Sequence, residues 1–357
     1  MKKLNNMDII KIQAQIDSNR RSVAFDSYDI TVKQMYDMIL DGMIDIAPEY
    51  QRHFKWDVNR QSSLIESLLL GIPIPSLFMA SNPDSSWEVI DGVQRLTTIL
   101  NFIGEETLLS KVNIKHAHLK LNGLEKLDAM NGVEFKDLPK SIQFMLQTRP
   151  LRVTVLNDRS DFDVRYDLFE RLNTGGITLH EQEIRNCLYI GEFNDFIKEL
   201  SIDKAFRSMV KMTETAERNG SYEELVLRFF AYYEDRDNFV HSVTDFLNKY
   251  MEKKTKSLKN KAHLRKIFHE TFNVLQEHLS DGIVRGKRRN ITPIVLYEAI
   301  SVGSALALES GEQLRLEALK GLLNNQTLKK LTTGATNNKK AVIDRITFVE
   351  SYLKNVI

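Results

Sequence analysis

The sequence predicts an α+β domain followed by an all-helical domain, and three observations carry that expectation. Six of the seven prolines (Pro48, Pro73, Pro75, Pro83, Pro139 and Pro150) precede residue 190, and only Pro293 follows it. The first part alternates short apolar runs with turn-forming clusters, the pattern of strands and short helices. The second part reads as long apolar periods of about 3.6 residues with few breakers. At 357 residues the chain exceeds one small core. The expected organisation is an N-terminal extension over 1–24, an α+β domain over 25–190 and a helical domain over 191–357.

The elements follow in order. In RQSSLIESLLLGIPIP, Leu64, Ile65, Leu68 and Leu69 share one helical face, and Gly71 and Pro73 end that helix. SLFMA (76–80) and WEVID (87–91) read as strands joined by the turn-forming SNPDSS. Glycine at 92 suits a tight bend into RLTTILNFI, where Leu96, Ile99, Leu100 and Ile103 have helical spacing. RPLRVTVLN (149–157) reads as a strand with Val153 and Val155 on one face. Leu168, Phe169 and Leu172 mark another helix, ended by Asn173-Thr174-Gly175-Gly176. Thr178, with Glu181 three residues on, reads as the capping box of the next. YEELVLRFFAYY, SVTDFLNKYM, HLRKIFHETFNVLQEHL, PIVLYEAISVGSALAL and AVIDRITFVESYL all read as amphipathic helices.

Bulk composition narrows the function classes. The chain is 42% hydrophobic and 27% charged, an ordinary globular balance. A net charge of +1 requires any nucleic-acid surface to be a local patch. Cys187 is the only cysteine, which excludes an internal disulfide or a multi-cysteine zinc site. On its helix beside Arg185, that thiol reads as a small buried apolar group rather than a nucleophile. The N-terminus lacks the apolar core of a signal peptide, and no run reaches the roughly 18 residues of a membrane span. The expectation is a cytoplasmic protein without a membrane partner. None of the eight histidines sits in a D-H-x-x-P setting, and His263 and His269 lie six apart rather than at metal-pair spacing. His116 and His118 are flanked by lysines and read as loop.

The densest polar motif is EVIDGVQRLTTIL (88–100). A helix N-terminus after Gly92 offers N–H groups to an anion, and Arg95 in its first turn carries a fork of donors suited to phosphate. Gln94 can donate to phosphate or orient a water, and Thr97 and Thr98 add hydroxyls. Asp91 can hold Arg95 or a metal ion. The competing reading is an Asp91–Arg95 ion pair that only pins the bend. From these residues both readings stand open, because the lysine-bearing P-loop pattern is absent. A second Gln-Arg pair, Gln51-Arg52, lies in the extended PEYQRHFKW.

PEYQRHFKW, LIESLLLGIPIPSLFM, WEVIDGVQRLTTILNF and FERLNTGGITLHEQEIRN occur in this order. That order resembles the N-terminal domain family of GmrSD-type restriction endonucleases, with its Q-R-x-x-x-W stretch, G-x-P-I-P turn and DGQQR box. YEELVLRFFAYY, DFLNKYM and TGATNNKKAVIDRI extend the resemblance over roughly residues 25–355. It implies a ParB/sulfiredoxin-like fold for the first domain and a nucleoside triphosphate with Mg²⁺ as cofactors. It also implies that Asp91, Gln94 and Arg95 are catalytic. Gln51, Arg52, Gly92, Arg95, Thr97, Asn173, Gly175 and Gly176 would bind nucleotide. Val93 replaces the first glutamine of the family box, which bears on hydrolysis more than on binding.

The function implied is a nucleotide-binding, NTP-hydrolysing component of a DNA restriction or phage-defence system. The alternative is a non-catalytic DNA- or nucleotide-sensing module that regulates a separate nuclease, favoured by Val93 and by the lack of an HNH signature. A DNA nickase using the arginine box is a third reading that no nuclease motif supports. DNA, a nuclease subunit and a second copy of the chain are the partners in view. Two basic stretches bear on DNA. Residues 249–266 read as a solvated helix face. Arg285, Lys287, Arg288 and Arg289 crowd one glycine-bearing loop suited to DNA phosphates or to an ordinary turn. Glu181 with Arg185, and Glu224 with Arg228, are spaced as structural ion pairs.

Overall fold

The computed structural model describes residues 5–19, 25–46, 54, 56–82, 84–111, 118–157, 166, 180–286, 290–334 and 336–354. The chain divides into two compact units, Met1–Ile177 and Thr178–Ile357. The first is mixed α/β and the second is helical, which bears out the coarse expectation.

The first unit carries a five-stranded sheet in the order β1-β5-β3-β4-β2. Its strands are β1 (Phe25–Thr31), β2 (Ile44–Asp45), β3 (Leu77–Ser81), β4 (Trp87–Asp91) and β5 (Pro150–Leu156). β3 and β4 form an antiparallel hairpin with Met79 opposite Val89 and an irregularity between Phe78 and Met79. β5 runs parallel to β3, with Leu77 opposite Val153. β1 pairs antiparallel with β5 and β2 parallel with β4. Leu77, Met79, Val89, Leu151 and Val153 are fully buried. The strands expected at 76–80, 87–91 and 149–157 are therefore present. β1 was not expected: in FDSYDIT only Ile30 is buried, and its pairing with β5 defines it.

The α-helices of this unit among the described residues are α1 (Asn6–Asn19), α2 (Val32–Leu40), α3 (Val58–Leu70), α4 (Val93–Ile103), α5 (Glu106–Lys111) and α6 (Lys140–Gln147). A Thr31–Gln34 capping box starts α2. Asp57 caps α3 by accepting from the Arg60 N–H, and Gly71 ends it in the left-handed conformation. α4 is buried on nearly every face, so it runs through the core rather than along the surface. The segment after α5 is laid on α3: Ser62 Oγ accepts from Asn122 N–H at 2.9 Å, and Glu66 accepts from Lys126 and Leu127 N–H.

The second unit begins with α7 (Glu181–Leu188), α8 (Glu192–Ser201), α9 (Lys204–Met209) and α10 (Glu214–Arg218). Then come α11 (Ser221–Asp235), α12 (Val243–Lys256), α13 (Lys261–His278), α14 (Ile294–Glu309), α15 (Leu319–Leu322), α16 (Gln326–Leu331) and α17 (Lys339–Leu353). Phe206, Phe229, Phe268 and Phe272 form an aromatic centre, with Phe268 and Phe272 ring centroids 4.6 Å apart. α14 meets α17 at Gly303, where a Cβ would lie 2.6 Å from Val349 Cβ. α7 starts where expected, but its cap is His180, whose N–H bonds Glu183 at 2.8 Å, and not Thr178. Thr178 itself lies outside the described residues.

The two ion pairs expected at helical spacing are links in a longer buried chain. Fully buried Arg185 bonds Glu181 at 2.9 Å and Glu224 at 3.3 Å. Glu224 reaches Arg228 at 2.7 Å, Arg228 reaches Glu298 at 2.8 Å, and Glu298 reaches Arg345 at 2.5 Å. Arg345 also donates to the Thr336 carbonyl. Four helices, α7, α11, α14 and α17, are keyed together by this chain. Burial disfavours charge on Arg228, but Glu224 and Glu298 outweigh it and raise its pKa.

Candidate functional site

The D-G-V-Q-R motif sits where β4 turns into α4. Gly92 has φ +100°, and a Cβ on it would fall 2.3 Å from Leu77 Cδ2 and 3.3 Å from Arg95 Nη2. Only glycine meets both demands, the backbone angle and the missing volume. No side chain caps the α4 N-terminus, whose first N–H groups have no partner within the helix. Val93 is buried.

Arg95 turns inward. Its side chain is 11% exposed, and Nη2 meets Asp91 Oδ2 at 2.8 Å. Nη1 donates to the Pro75 carbonyl and, at 3.2 Å, to the Ser76 carbonyl. Burial lowers the pKa of Arg95, and the Asp91 charge acts in the opposite direction. The two carbonyls come from the G-I-P-I-P turn, where each proline holds the preceding residue extended.

Gln94 connects the corner to a third segment. Its Oε1 accepts from the Trp56 N–H at 3.4 Å. The Trp56 carbonyl accepts from Gln61 Nε2 at 2.9 Å, and Gln61 Oε1 accepts from Asn101 Nδ2 at 3.2 Å. The Arg60 guanidinium lies over the Trp56 ring, 4.7 Å from its centroid. The backbone of Gln94 accepts from Thr98 Oγ1 at 2.7 Å. Thus Trp56, the GIPIPS turn and DGVQR, spread over about forty residues, meet at one corner through Trp56, Pro75, Ser76, Asp91, Gln94 and Arg95. Sequence reasoning missed Gln61, Asn101 and the two carbonyls; the prolines at 73 and 75 were the available signal.

The other expected site residues are distributed as follows. Thr97 is enclosed in the core at 2% exposure, and Thr98 is also buried. Gln51, Arg52, Asn173, Gly175, Gly176, Lys287, Arg288 and Arg289 lie outside the described residues, as does the side chain of Cys187. Among the described residues no group of three or more His, Cys, Asp or Glu is placed to hold a metal ion. A cleft of about 510 Å³ opens around Phe102, Gly104, Phe135 and Lys140, at the far end of α4 from the corner. The 11 residues of α4 put the two ends about 15 Å apart. That volume is not part of the D-G-V-Q-R geometry.

In the second unit, Arg285 is half-buried and bonds Thr332 Oγ1 at 3.0 Å. Burial lowers its pKa. It lines a notch of about 190 Å³ with His278, Lys320 and Asn324. The other basic stretch is largely paired with carboxylates. Lys253, Lys254, Lys256, Lys261, Arg265 and Lys266 each meet a carboxylate.

Residues 32–190 match the family model described as GmrSD restriction endonuclease, N-terminal domain. No curated protein and no solved structure matches the chain. Among the described residues no helix is long and apolar enough to cross a membrane.

Proposed function

We propose, on the premise that residues 32–190 are a GmrSD restriction endonuclease N-terminal domain, that this chain is the nucleotide-binding and NTP-hydrolysing component of a DNA restriction or phage-defence system. The observation that carries the reading is the Trp56 N–H bond to Gln94. It joins Trp56, the last residue of the Q-R-x-x-x-W stretch, to the D-G-V-Q-R corner. Anionic groups are favoured at a helix N-terminus, where uncapped N–H groups converge. The first unit is read as a ParB-like variant, supported by its mixed sheet and its strand–glycine–helix corner.

In this reading Mg²⁺ arrives with the nucleotide as the substrate complex, held chiefly by the phosphates. Water adds to the γ-phosphorus as the bond to the leaving diphosphate breaks. Gln94 orients that water, while Arg52, the α4 N–H groups and the Asn173–Gly176 loop take up phosphate charge. Lys287, Arg288 and Arg289 contact DNA phosphates, and Arg285 anchors their loop. The system operates in the cytoplasm with DNA and a separate nuclease subunit. A homo-oligomer is compatible with it.

A second reading is a sensor that binds nucleotide without cleaving it. The apolar, buried Val93 favours it, because that position contributes no amide to the corner. Binding and hydrolysis of the four Mg·NTPs by the wild type and Gln94→Ala decide between them. Turnover that is lost in the variant supports the hydrolase. Binding without turnover selects the sensor. No binding by the wild type returns D-G-V-Q-R to a structural corner and refutes both.

A further inference from the structure

We propose that Arg95 is a positioning residue: its guanidinium fastens the G-I-P-I-P turn to the D-G-V-Q-R corner, fixing where Gln94 stands, and phosphate contacts fall to other groups. The proposal rests on the nucleotide reading for its functional consequence, but not for its geometry.

Three of the five N–H donors of an arginine are already committed here, to Pro75, Ser76 and Asp91. These acceptors come from two chain segments about fifteen residues apart. Their directions differ, and a planar fork meets all three where an ammonium would not. The absent Cβ of Gly92 leaves the space that Nη2 occupies, since an added Cβ would stand 3.3 Å from it. The side chain is therefore beneath the corner, at 11% exposure, and not on its open side. An arginine in the first turn of a helix is unfavourable beside the positive dipole end. Asp91 and the two carbonyls offset that cost without any ligand. Gln94, the neighbouring residue, then has its backbone held by the pin and its Oε1 held by Trp56.

A pin and a phosphate ligand respond differently to Arg95→Lys, which keeps the charge and loses the fork. In a Trp87→Phe background Trp56 is the sole tryptophan, and its emission and acrylamide quenching report the corner without nucleotide. The pin predicts that Arg95→Lys changes both signals in the ligand-free protein. It also predicts that kcat for Mg·ATP or Mg·GTP falls about 10- to 100-fold through misplacement of Gln94, while KM holds. The ratio of triphosphate to diphosphate affinity, and its slope against salt, stay as in wild type.

A direct phosphate contact predicts the reverse. The Trp56 signals hold, the triphosphate preference collapses, and the salt slope flattens by about one; that result overturns the proposal. Asp91→Asn removes a single link of the pin and gives a weaker form of the same signature if Arg95→Lys does not fold. A wild type that binds no nucleotide refutes the proposed function alone. The Trp56 measurement then still decides the pin: unchanged signals in Arg95→Lys and Asp91→Asn would overturn it.

Discussion

Gly92→Ala tests the account of the corner most directly, because the structure separates its two penalties. At φ +100° an alanine bears the left-handed strain, worth about 1–2 kcal/mol. Its Cβ would also lie 2.3 Å from Leu77 Cδ2, and Leu77 is fully buried between neighbouring strands. Overpacking of that kind costs about 1–3 kcal/mol. Gly42 is the matched control: its φ is +77°, and nothing lies within 4 Å of its Cβ position. Both variants reduce unfolded-state entropy alike, so their difference isolates the clash at about 1–3 kcal/mol. Both tryptophans, Trp56 and Trp87, lie in the first unit, so urea unfolding followed by tryptophan fluorescence reads that unit alone. Gly92→Ala should have a midpoint lower than Gly42→Ala by roughly 1 M, with an unchanged slope. In Gly92→Ala/Leu77→Ala the loss should fall short of the sum of the single losses, because the truncated leucine relieves the contact. Equal midpoints for Gly92→Ala and Gly42→Ala, or strict additivity with Leu77→Ala, would refute the close-approach argument.

In the helical unit, Glu298→Ala leaves Arg228 and Arg345 facing each other without their shared carboxylate. The expected loss is about 3–5 kcal/mol, read by far-UV circular dichroism. Burial raises the pKa of Glu224, but Arg228 and Arg185 outweigh it and the net shift is downward. A depressed folded-state pKa gives stability that is present above the unfolded value of about 4.5 and lost as pH falls through the folded one. Melting temperature should therefore hold between pH 7 and about 5 and drop below about 4.5, and Glu224→Gln should flatten that drop. A curve flat down to pH 3 in the wild type would contradict it. Arg285→Ala should cost about 1 kcal/mol from its bond to Thr332 and leave the salt slope of DNA binding unchanged. Lys287→Ala and Arg288→Ala should each flatten that slope by about one, measured by titrating labelled duplex at several salt concentrations.

What the sequence could reveal follows from where each interaction is encoded. β3, β4 and β5 were legible because their apolar residues sit in the sheet core and write their own pattern. β1 was not: Phe25, Asp26, Ser27, Tyr28 and Asp29 are exposed, and the strand exists through its pairing with residues 150–156. The bend at Gly92 was legible from one residue. The role of Arg95 was not, because pin and phosphate ligand need the same side chain. They differ only in contacts to Pro75 and Ser76, which are tertiary. Likewise the spacing of Glu224 and Arg228 announced one pair, whereas their continuation to Glu298 and Arg345 depends on helices far away in sequence. The basic run at 249–266 reads as a surface feature and its Lys253, Lys256 and Lys266 are exposed, but its carboxylate partners on α8 and α11 lie up to about seventy residues away and are not announced by it.

The linked charges Arg185, Glu224, Arg228, Glu298 and Arg345 also constrain how such a protein can diverge. Exchanging any one of them for an apolar residue strands its neighbours, and the cost falls at once on a core that tolerates few such losses. Replacing all five with a packed hydrocarbon core could be neutral or better, yet the route passes through intermediates less fit to fold. The five positions are therefore expected to drift as a block, by compensating exchanges, while apolar neighbours such as Val226 and Ile346 change singly. An ionic seam of this kind can therefore persist inside a bundle without being its most stable solution.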